Sequence, residues 1–286
     1  MKVAIAQITP KTSEKLANRE KMANYVEEAA RASADLIVFP ELALTGYNCG
    51  DCFFELAEKI PSGESIQFFE KLAQDLNIHI IWGMPEMSLP GVLYNAAALV
   101  GPDGYIGSWR KNTLPGHATD KAGPGAFPDR RFFKNGSGLE VFDTKIGRIG
   151  CLICYDIFFP ELARLLTLKG ADFLVGISGS PAFEKDIFEP LIQARAMENT
   201  IDFVYTNLVG HEDETTYWGG GCVYTAGDAA RKVPGKLIAK ADYKTEGLTF
   251  AELDPYDKSI RPVFPVLRDL KNEMYQELRK AHGKLA

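Results

Sequence analysis

The segment Gly147-Arg-Ile-Gly-Cys-Leu-Ile-Cys154-Tyr-Asp-Ile-Phe-Phe-Pro-Glu161 is an apolar, strand-like run that stops abruptly at a thiol. Pro160 suits the first turn of a following helix, where its missing N–H costs nothing. The pattern predicts a buried strand, a turn at Cys154 and a helix, in that order. A thiol at such a strand end is a candidate nucleophile.

Two other charged residues also stand at the ends of apolar runs. Glu41 follows Ile37-Val-Phe-Pro, and Lys111 follows Tyr105 to Trp109 and Arg110. Cleaving an amide with a thiol requires a base, donors for the oxyanion and a proton for the leaving nitrogen. A buried Glu with a raised pKa can serve as both base and acid, while a Lys and the N–H of the residue after the thiol can hold the oxyanion. Those roles fit Glu41, Lys111, Cys154 and the Tyr155 N–H, although each residue alone also has an ordinary structural explanation.

Short β-rich runs alternate with segments of helical period along the chain, which predicts an α/β protein. The predicted strands and helices are 3–8, 18–32 (helix), 35–39, 65–76 (helix), 78–82, 95–100, 105–109, 139–142, 148–154, 160–169 (helix), 173–177, 190–198 (helix), 203–207, 221–225, 236–239 and 248–253. Residues 115–135 are rich in Gly and Pro, which predicts a long surface loop. A last helix is expected behind Asp269 as its N-cap, with Leu270, Met274 and Leu278 on one stripe.

No internal repeat or linker divides the chain, so residues 1–286 are interpreted as one domain. The length of 286 residues is sufficient to bury a large core. The segment from about 255 to 286 contains three prolines and the last helix, and we expect it to pack on a neighbouring subunit.

The three separated segments together resemble the signature of the nitrilase superfamily, the carbon–nitrogen hydrolases with a Glu-Lys-Cys site. The matching motifs are Phe39-Pro40-Glu41 with Thr45-Gly46-Tyr47, Trp109-Arg110-Lys111, Gly150-Cys-Leu-Ile-Cys154-Tyr-Asp156 with Phe159-Pro160-Glu161, Gln193-Ala-Arg195-Ala-Met-Glu198-Asn199 and Gly219-Gly220. The resemblance covers nearly the whole chain. It implies an α/β four-layer αββα sandwich, a cofactor-independent amide hydrolase and association into homodimers or larger homo-oligomers.

Two positions depart from the family pattern. Thr113 stands where many members have His, two residues after the Lys. The auxiliary Glu that many members place between the Lys and the Cys is replaced by Asp129 when the loops are aligned, with Asp120 as the rival position. An Asp has the shorter side chain, so its carboxylate would lie further from the thiol unless the backbone compensates.

The aromatic residues near these motifs are candidate walls of a substrate pocket, although aromatic side chains are commonly part of the core. They are Tyr47, Tyr155, Phe183, Tyr217 and Trp218. A Cys-His dyad would need His117 or His211 beside the thiol, and neither is flanked by residues typical of such enzymes.

The five cysteines are an odd number in a chain without an evident export signal, which favours reduced thiols and a cytoplasmic location. Cys151 and Cys154 have Cys-x-x-Cys spacing, but Cys151 lies within the predicted strand and should face away from Cys154. A redox pair or a zinc site with Cys49 and Cys52 is therefore a weaker interpretation. We expect no metal and no cofactor.

The net charge of -6 and a pI of about 5.4 provide no basic surface for phosphates, so nucleic acid is not an expected partner. No apolar stretch reaches the length of a membrane span.

The expected activity is hydrolysis of a small-molecule amide to an acid and ammonia through a Cys154 thioester. Nitrile hydrolysis and N-carbamoyl cleavage at the same site remain alternatives. So do a non-catalytic scaffolding relative and a thiol-disulfide protein.

Overall fold

The computed structural model describes residues 1–116, 127 and 129–283. His117 and Asp120, two of the candidates named above, lie outside these residues. In chain order the strands are β1 (Lys2–Gln7), β2 (Leu36–Val38), β3 (His79–Leu89), β4 (Val92–Gly101), β5 (Gly104–Arg110), β6 (Val141–Thr144), β7 (Gly147–Ile153), β8 (Phe173–Ser178), β9 (Asp202–Asn207), β10 (Val209–Glu212), β11 (Thr215–Trp218), β12 (Cys222–Asp228), β13 (Val233–Lys240) and β14 (Gly247–Glu252).

The α-helices are α1 (Lys15–Arg31), α2 (Phe53–Leu56), α3 (Glu64–Leu76), α4 (Asp129–Phe132), α5 (Pro160–Leu168), α6 (Lys185–Asn199) and α7 (Asn272–His282). The described residues form two six-stranded sheets, in the orders β14-β1-β2-β3-β4-β5 and β13-β12-β9-β8-β7-β6. Helices α1 and α3 cover the outer face of the first sheet, while α5 and α6 cover the second. The hairpin of β10 and β11 stands apart from both sheets.

Alternation along the strands explains why the two sheets are sandwiched between helices. In β1, Val3 and Ile5 belong to the cluster shared with the second sheet, whereas Ala4 and Ala6 pack toward α1. A strand that is apolar on both faces must be covered on both. The fold is therefore the predicted four-layer αββα sandwich.

Strand direction brings the candidate site residues to one edge. β2 runs parallel to β1 and β3, and β5 has the direction of β3 because each is antiparallel to β4. Glu41 follows β2 and Lys111 follows β5, so both lie beyond the carboxyl ends of these strands, on the same side of the first sheet. In the second sheet β7, β8 and β9 are parallel, and Cys154 follows β7. Carboxyl ends of parallel strands are the usual place for ligand sites in α/β proteins.

Several local expectations are wrong. Asp269 does not cap the last helix: α7 begins at Asn272, and the Asp269 carboxylate instead pairs with Arg268 at 2.8 Å. Helix α6 begins at Lys185, so Pro190 lies inside it and one helical hydrogen bond is missing. The hairpin of β10 and β11 was not anticipated, because its strands are only four residues long and largely polar.

Candidate active site

Cys154 lies at a sharp turn between β7 and a 3₁₀ segment, Cys154–Phe158. Its φ of 51° is in the left-handed region, which a non-glycine residue adopts only when its surroundings hold it there. The turn leaves the Tyr155 N–H at the start of a helical segment, where backbone donors have no partner within the helix. Among the described residues nothing accepts from this N–H. It is therefore free to donate to a ligand beside the thiol.

Glu41 is fully buried, and its carboxylate is held from two sides. Oε2 accepts from the Gly179 N–H at 2.7 Å, and Oε1 accepts from Asn95 Nδ2 at 2.7 Å. Gly83 permits this placement: a Cβ there would lie 2.6 Å from the Glu41 Cα. Backbone at that distance cannot rotate away, so only Gly fits.

Lys111 is also fully buried and binds two carboxylates at once. Its Nζ donates to Glu41 Oε1 and to Asp129 Oδ1, each at 2.7 Å. A Lys ammonium has three hydrogens, so one remains for another acceptor.

Asp129, the candidate auxiliary carboxylate, is the first residue of α4 and is buried. Its Oδ2 accepts a short hydrogen bond from the Tyr47 hydroxyl, and its Oδ1 accepts from Lys111 and from Asn95 Nδ2. The backbone thus brings the shorter Asp arm into contact with Lys111. Glu41 and Asp129 therefore both accept hydrogen bonds from the Lys111 ammonium and from the Asn95 amide.

Burial and these neighbours shift the pKa of each group. Burial raises the pKa of Glu41, against the attraction of Lys111 and with a further contribution from Asp129. Burial alone would lower the pKa of Lys111, but the two carboxylates outweigh it and raise the pKa above its usual value. Lys111 is therefore a permanent positive charge. Glu41 is a carboxylate with increased affinity for a proton.

The thiol of Cys154 is protonated in this environment. Burial raises its pKa well above the usual range, and Glu41, Glu184 and Asp129 add to that shift, while Lys111 opposes it. The charges of Glu41 and Lys111 therefore both act on the pKa of the Cys154 thiol. Because the resting group is a thiol, it needs a base at the moment of attack.

Asp156 connects the Lys segment to the Cys turn. Its Oδ1 accepts from the N–H of Thr113 at 2.8 Å and from the Thr113 hydroxyl at 2.6 Å, and its Oδ2 accepts from the Ile153 N–H at 3.2 Å. Thr113 therefore fastens the segment after Lys111 to the turn that presents Cys154.

The aromatic candidates differ in position. Trp218 is buried, stacks on Tyr205 at 5.8 Å and donates from Nε1 to Ser180 Oγ at 3.1 Å. Tyr155 is partly buried against neighbouring Phe rings. Phe183 is 56% exposed, so it does not belong to a closed pocket wall and at most borders an entrance.

Tyr217 is buried, and its hydroxyl donates to Glu212 Oε2 at 3.1 Å. Glu212 also accepts from the Tyr47 N–H at 2.8 Å. This buried carboxylate thereby fixes the segment that carries Tyr47 against the hairpin of β10 and β11.

The alternative chemistries would use a histidine, a cysteine pair or a metal site. His211 bonds Thr216 at 2.9 Å on the exposed hairpin. All five cysteines are free. No group of three or more His, Cys, Asp or Glu side chains suited to a metal occurs in residues 1–116, 127 and 129–283. In the same residues, no helix has both the length and the apolar character needed to cross a membrane.

Sequence reasoning missed four residues of this site: Asn95, Asp156, Gly179 and Glu184. Asp156 lies inside the quoted Cys motif and offered a signal, because an Asp two residues after the nucleophile can cap the turn that exposes it. Asn95 in β4 and Gly179 after β8 carry no local signal. They reach Glu41 only through strand pairing and sheet packing.

The fold defines the class of protein. The crystal structure of a carbon–nitrogen hydrolase from Helicobacter pylori G27 matches it with a TM-score of 0.84 and 27% identity, over 97% of each chain. The chain belongs to the carbon–nitrogen hydrolase family, whose sequence model matches residues 2–259. The resemblance to the nitrilase superfamily is thus confirmed, and with it the expected class of enzyme.

Relatives of similar sequence are named for different carbon–nitrogen hydrolysis reactions. A nitrilase of Pyrococcus abyssi is 34% identical over 282 residues, covering 96% of this chain and 99% of its own. An N-carbamoylputrescine amidase of Arabidopsis thaliana is 31% identical over 274 residues, covering 91% of this chain and 89% of its own.

Proposed function

We propose that this carbon–nitrogen hydrolase cleaves a small-molecule amide to a carboxylic acid and ammonia, with Cys154 as nucleophile, Glu41 as base and acid, and Lys111 as oxyanion donor. The supporting observations are the contact of Lys111 with two buried carboxylates, and a thiol at a strained turn whose pKa is affected by the charges of that cluster. Asp129 serves as the auxiliary carboxylate that orients the Lys111 ammonium.

In the acylation half, Glu41 takes the Cys154 proton while the sulfur attacks the carbonyl carbon. Negative charge then develops on the carbonyl oxygen, which the remaining Lys111 hydrogen and the Tyr155 N–H stabilise. Glu41 returns the proton to the nitrogen, the C–N bond breaks, and ammonia leaves a thioester on Cys154.

In the deacylation half, Glu41 removes a proton from water as the water oxygen attacks the thioester carbon. The tetrahedral intermediate is held by the same two donors. Its collapse breaks the C–S bond and returns the proton to sulfur, so the acid is released and the thiol is restored.

Nitrile hydrolysis is a second candidate for the same site, favoured by a relative named nitrilase at 34% identity. N-carbamoyl cleavage is a third, favoured by the N-carbamoylputrescine amidase relative. A panel of primary amides, nitriles and N-carbamoyl amines, assayed for released ammonia and for acid or amine product, separates the three.

The nucleophile is tested with Cys154→Ala and, as a matched control, Cys151→Ala three residues earlier in β7. We expect the first variant to lose turnover with its fold intact and the second to retain turnover. Mass spectrometry of wild type quenched during turnover should show an acyl group on Cys154, and this adduct should be absent from Cys154→Ala but present in Cys151→Ala. Turnover by Cys154→Ala close to that of wild type contradicts the mechanism, and the absence of both turnover and adduct in wild type favours a scaffold.

Of the aromatic residues, Tyr47 and Trp218 are proposed as parts of the substrate pocket wall. Tyr47 orders Asp129, and Trp218 fixes Ser180 beside Gly179, so both shape the walls around Glu41. Phe183 is proposed only as a residue at the entrance.

We also propose a cytoplasmic protein that forms a homodimer or larger homo-oligomer. Helix α7 has no buried residue, and its apolar side chains Met274, Tyr275 and Leu278 are all exposed. Leu165 and Leu168 of α5 are exposed as well. Apolar groups left uncovered on one chain are expected to be covered by another. Sedimentation of the full chain beside a chain ending at residue 254 tests whether the tail takes part.

A further inference from the structure

A third carboxylate, Glu184, lies beside the site without belonging to the cluster around Lys111. It ends the 3₁₀ turn Ala182–Glu184 that connects β8 to α6. Its Oε2 accepts from Ser180 Oγ at 2.9 Å, and Ser180 Oγ in turn accepts from Trp218 Nε1 at 3.1 Å. The carboxylate is thus fixed by a chain of side-chain hydrogen bonds that starts at a buried indole.

Glu41 and Glu184 accept hydrogen bonds from two residues that are adjacent in the chain. The Gly179 N–H donates to Glu41, and the hydroxyl of the next residue, Ser180, donates to Glu184. The length of the intervening backbone limits the separation of the two carboxylates to about 13 Å. Their charges are felt across the site: Glu184 contributes to the raised pKa of Cys154, and Lys111 acts on the pKa of Glu184.

The environment of Glu184 differs from that of the other two carboxylates. Glu41 and Asp129 are fully buried and accept hydrogen bonds at both oxygens, whereas Glu184 is partly exposed. Its Oε1 has no hydrogen-bond partner in the described part of the chain. One oxygen is therefore held by the protein while the other is available to a ligand.

The charge balance favours a cationic ligand. The principal charges that act on the pKa of Cys154 are one cation, Lys111, and three carboxylates, Glu41, Glu184 and Asp129. Lys111 is already bound to two of these carboxylates. Fields of one sign in a cleft attract ligands of the opposite sign and repel those of the same sign.

We propose that Glu184 is a specificity residue that binds an ammonium group on the acyl part of the substrate, so that the preferred substrates are amino-substituted aliphatic amides. This inference rests on the proposed amide hydrolysis at Cys154. It extends that function by naming the charge of the substrate.

The test is a charge series of primary amides of equal chain length, with an amino group, a methyl group or a carboxylate at the far end. Several chain lengths are included, because the spacing between Glu184 and the reacting carbon is fixed. We expect wild type to show kcat/KM about tenfold higher for the amino amide than for its methyl counterpart at the best length, as one charged hydrogen bond would give. The carboxylate amide should be the poorest substrate.

Glu184→Gln keeps the shape and the bond to Ser180 but removes the charge. The amino-to-methyl ratio should fall to about one, and in Glu184→Lys the carboxylate amide should overtake the amino amide. Taking a ratio cancels any change in the reactivity of Cys154. Glu189→Gln is the control, because that carboxylate lies on α6 and pairs with Lys240 at 2.6 Å; it should preserve the wild-type ratio.

Equal ratios in wild type and Glu184→Gln overturn the assignment, and so does a wild-type preference for the carboxylate amide. Calorimetric binding of the same series to Cys154→Ala provides an answer independent of turnover. If wild type hydrolyses no amide, the proposed function fails. The binding series still decides whether Glu184 selects cations.

Discussion

Replacing Asp129, the proposed auxiliary carboxylate, with Asn separates the effect of its charge from that of its shape. The Asn side chain can keep an oxygen toward Lys111 and Asn95 and turn its amide toward the Tyr47 hydroxyl, which can accept. We therefore expect a folded protein with an unfolding midpoint near that of wild type. The change in the site is electrostatic.

The magnitude follows from the contacts that lose their charge. A hydrogen bond to a charged group contributes about 1.5–3 kcal/mol, and the bond between Lys111 and Asp129 becomes weaker by an amount of that order. If the Lys111 ammonium is then less well oriented toward the oxyanion, kcat/KM falls by about 10- to 100-fold. The pKa of Glu41 also falls, because Asp129 is one of the groups that raise it.

The assay is kcat/KM for one amide as a function of pH, with thermal unfolding of the same samples. In wild type, activity should fall as pH drops through the raised pKa of Glu41, because the base becomes protonated. In Asp129→Asn that acid limb should move to lower pH while the plateau decreases. A plateau within about twofold of wild type and an unmoved limb would refute the reasoning. Asp120→Asn is the companion variant, and a loss confined to it would transfer the auxiliary role to Asp120.

Three further outcomes follow from buried groups. Gly83→Ala would place a methyl group 2.6 Å from the Glu41 Cα, so we expect a loss of about 1–3 kcal/mol in the free energy of unfolding together with lower activity, measured by denaturant titration and assay. Above the acid limb, wild-type kcat/KM should stay level into the alkaline range, because the pKa values of Lys111 and Cys154 are raised; an alkaline limb near neutrality would contradict this. Burial raises the pKa of Asp202 from 3.8 to about 6, so between these values the folded state holds its proton more tightly and stability falls as pH rises. Asp202→Asn can still accept from the Ala226 N–H, and should gain up to about 3 kcal/mol near pH 7 but not near pH 4 in urea titrations.

The parts of the molecule that sequence predicts well are those determined by local pattern. The end of β7 at Cys154 was visible because an apolar run stops at a polar turn. Helix α3 was placed within one residue, since its apolar positions have a clear helical period. The N-terminus of α7 is misplaced in the sequence prediction because no side chain caps this helix: Lys271 precedes its first residue, so the nearby Asp269 was a false cap signal.

The surroundings of Glu41 were not predictable from sequence in the same way. Asn95 reaches Glu41 only because β4 lies next to β3 and β5 in the sheet, and Gly179 only because β8 belongs to the opposing sheet. Neither residue has a distinctive neighbourhood along the chain. The resemblance supplied Glu41, Lys111 and Cys154, whereas the contacts that tune them depend on how the two sheets meet.

The arrangement of charges explains why we propose a carboxylate base rather than a resting thiolate. A cation next to a thiol lowers its pKa only to the extent that its field is not cancelled. Burial and the charge of Glu41 raise the pKa of Cys154 against the attraction of Lys111, which Glu41 and Asp129 share, so the proton stays on sulfur. In the proposed mechanism, proton transfer to Glu41 becomes favourable when a carbonyl oxygen at Lys111 begins to carry the negative charge. The substrate itself would then complete the activation of the nucleophile, so that a reactive thiolate forms only in the occupied site.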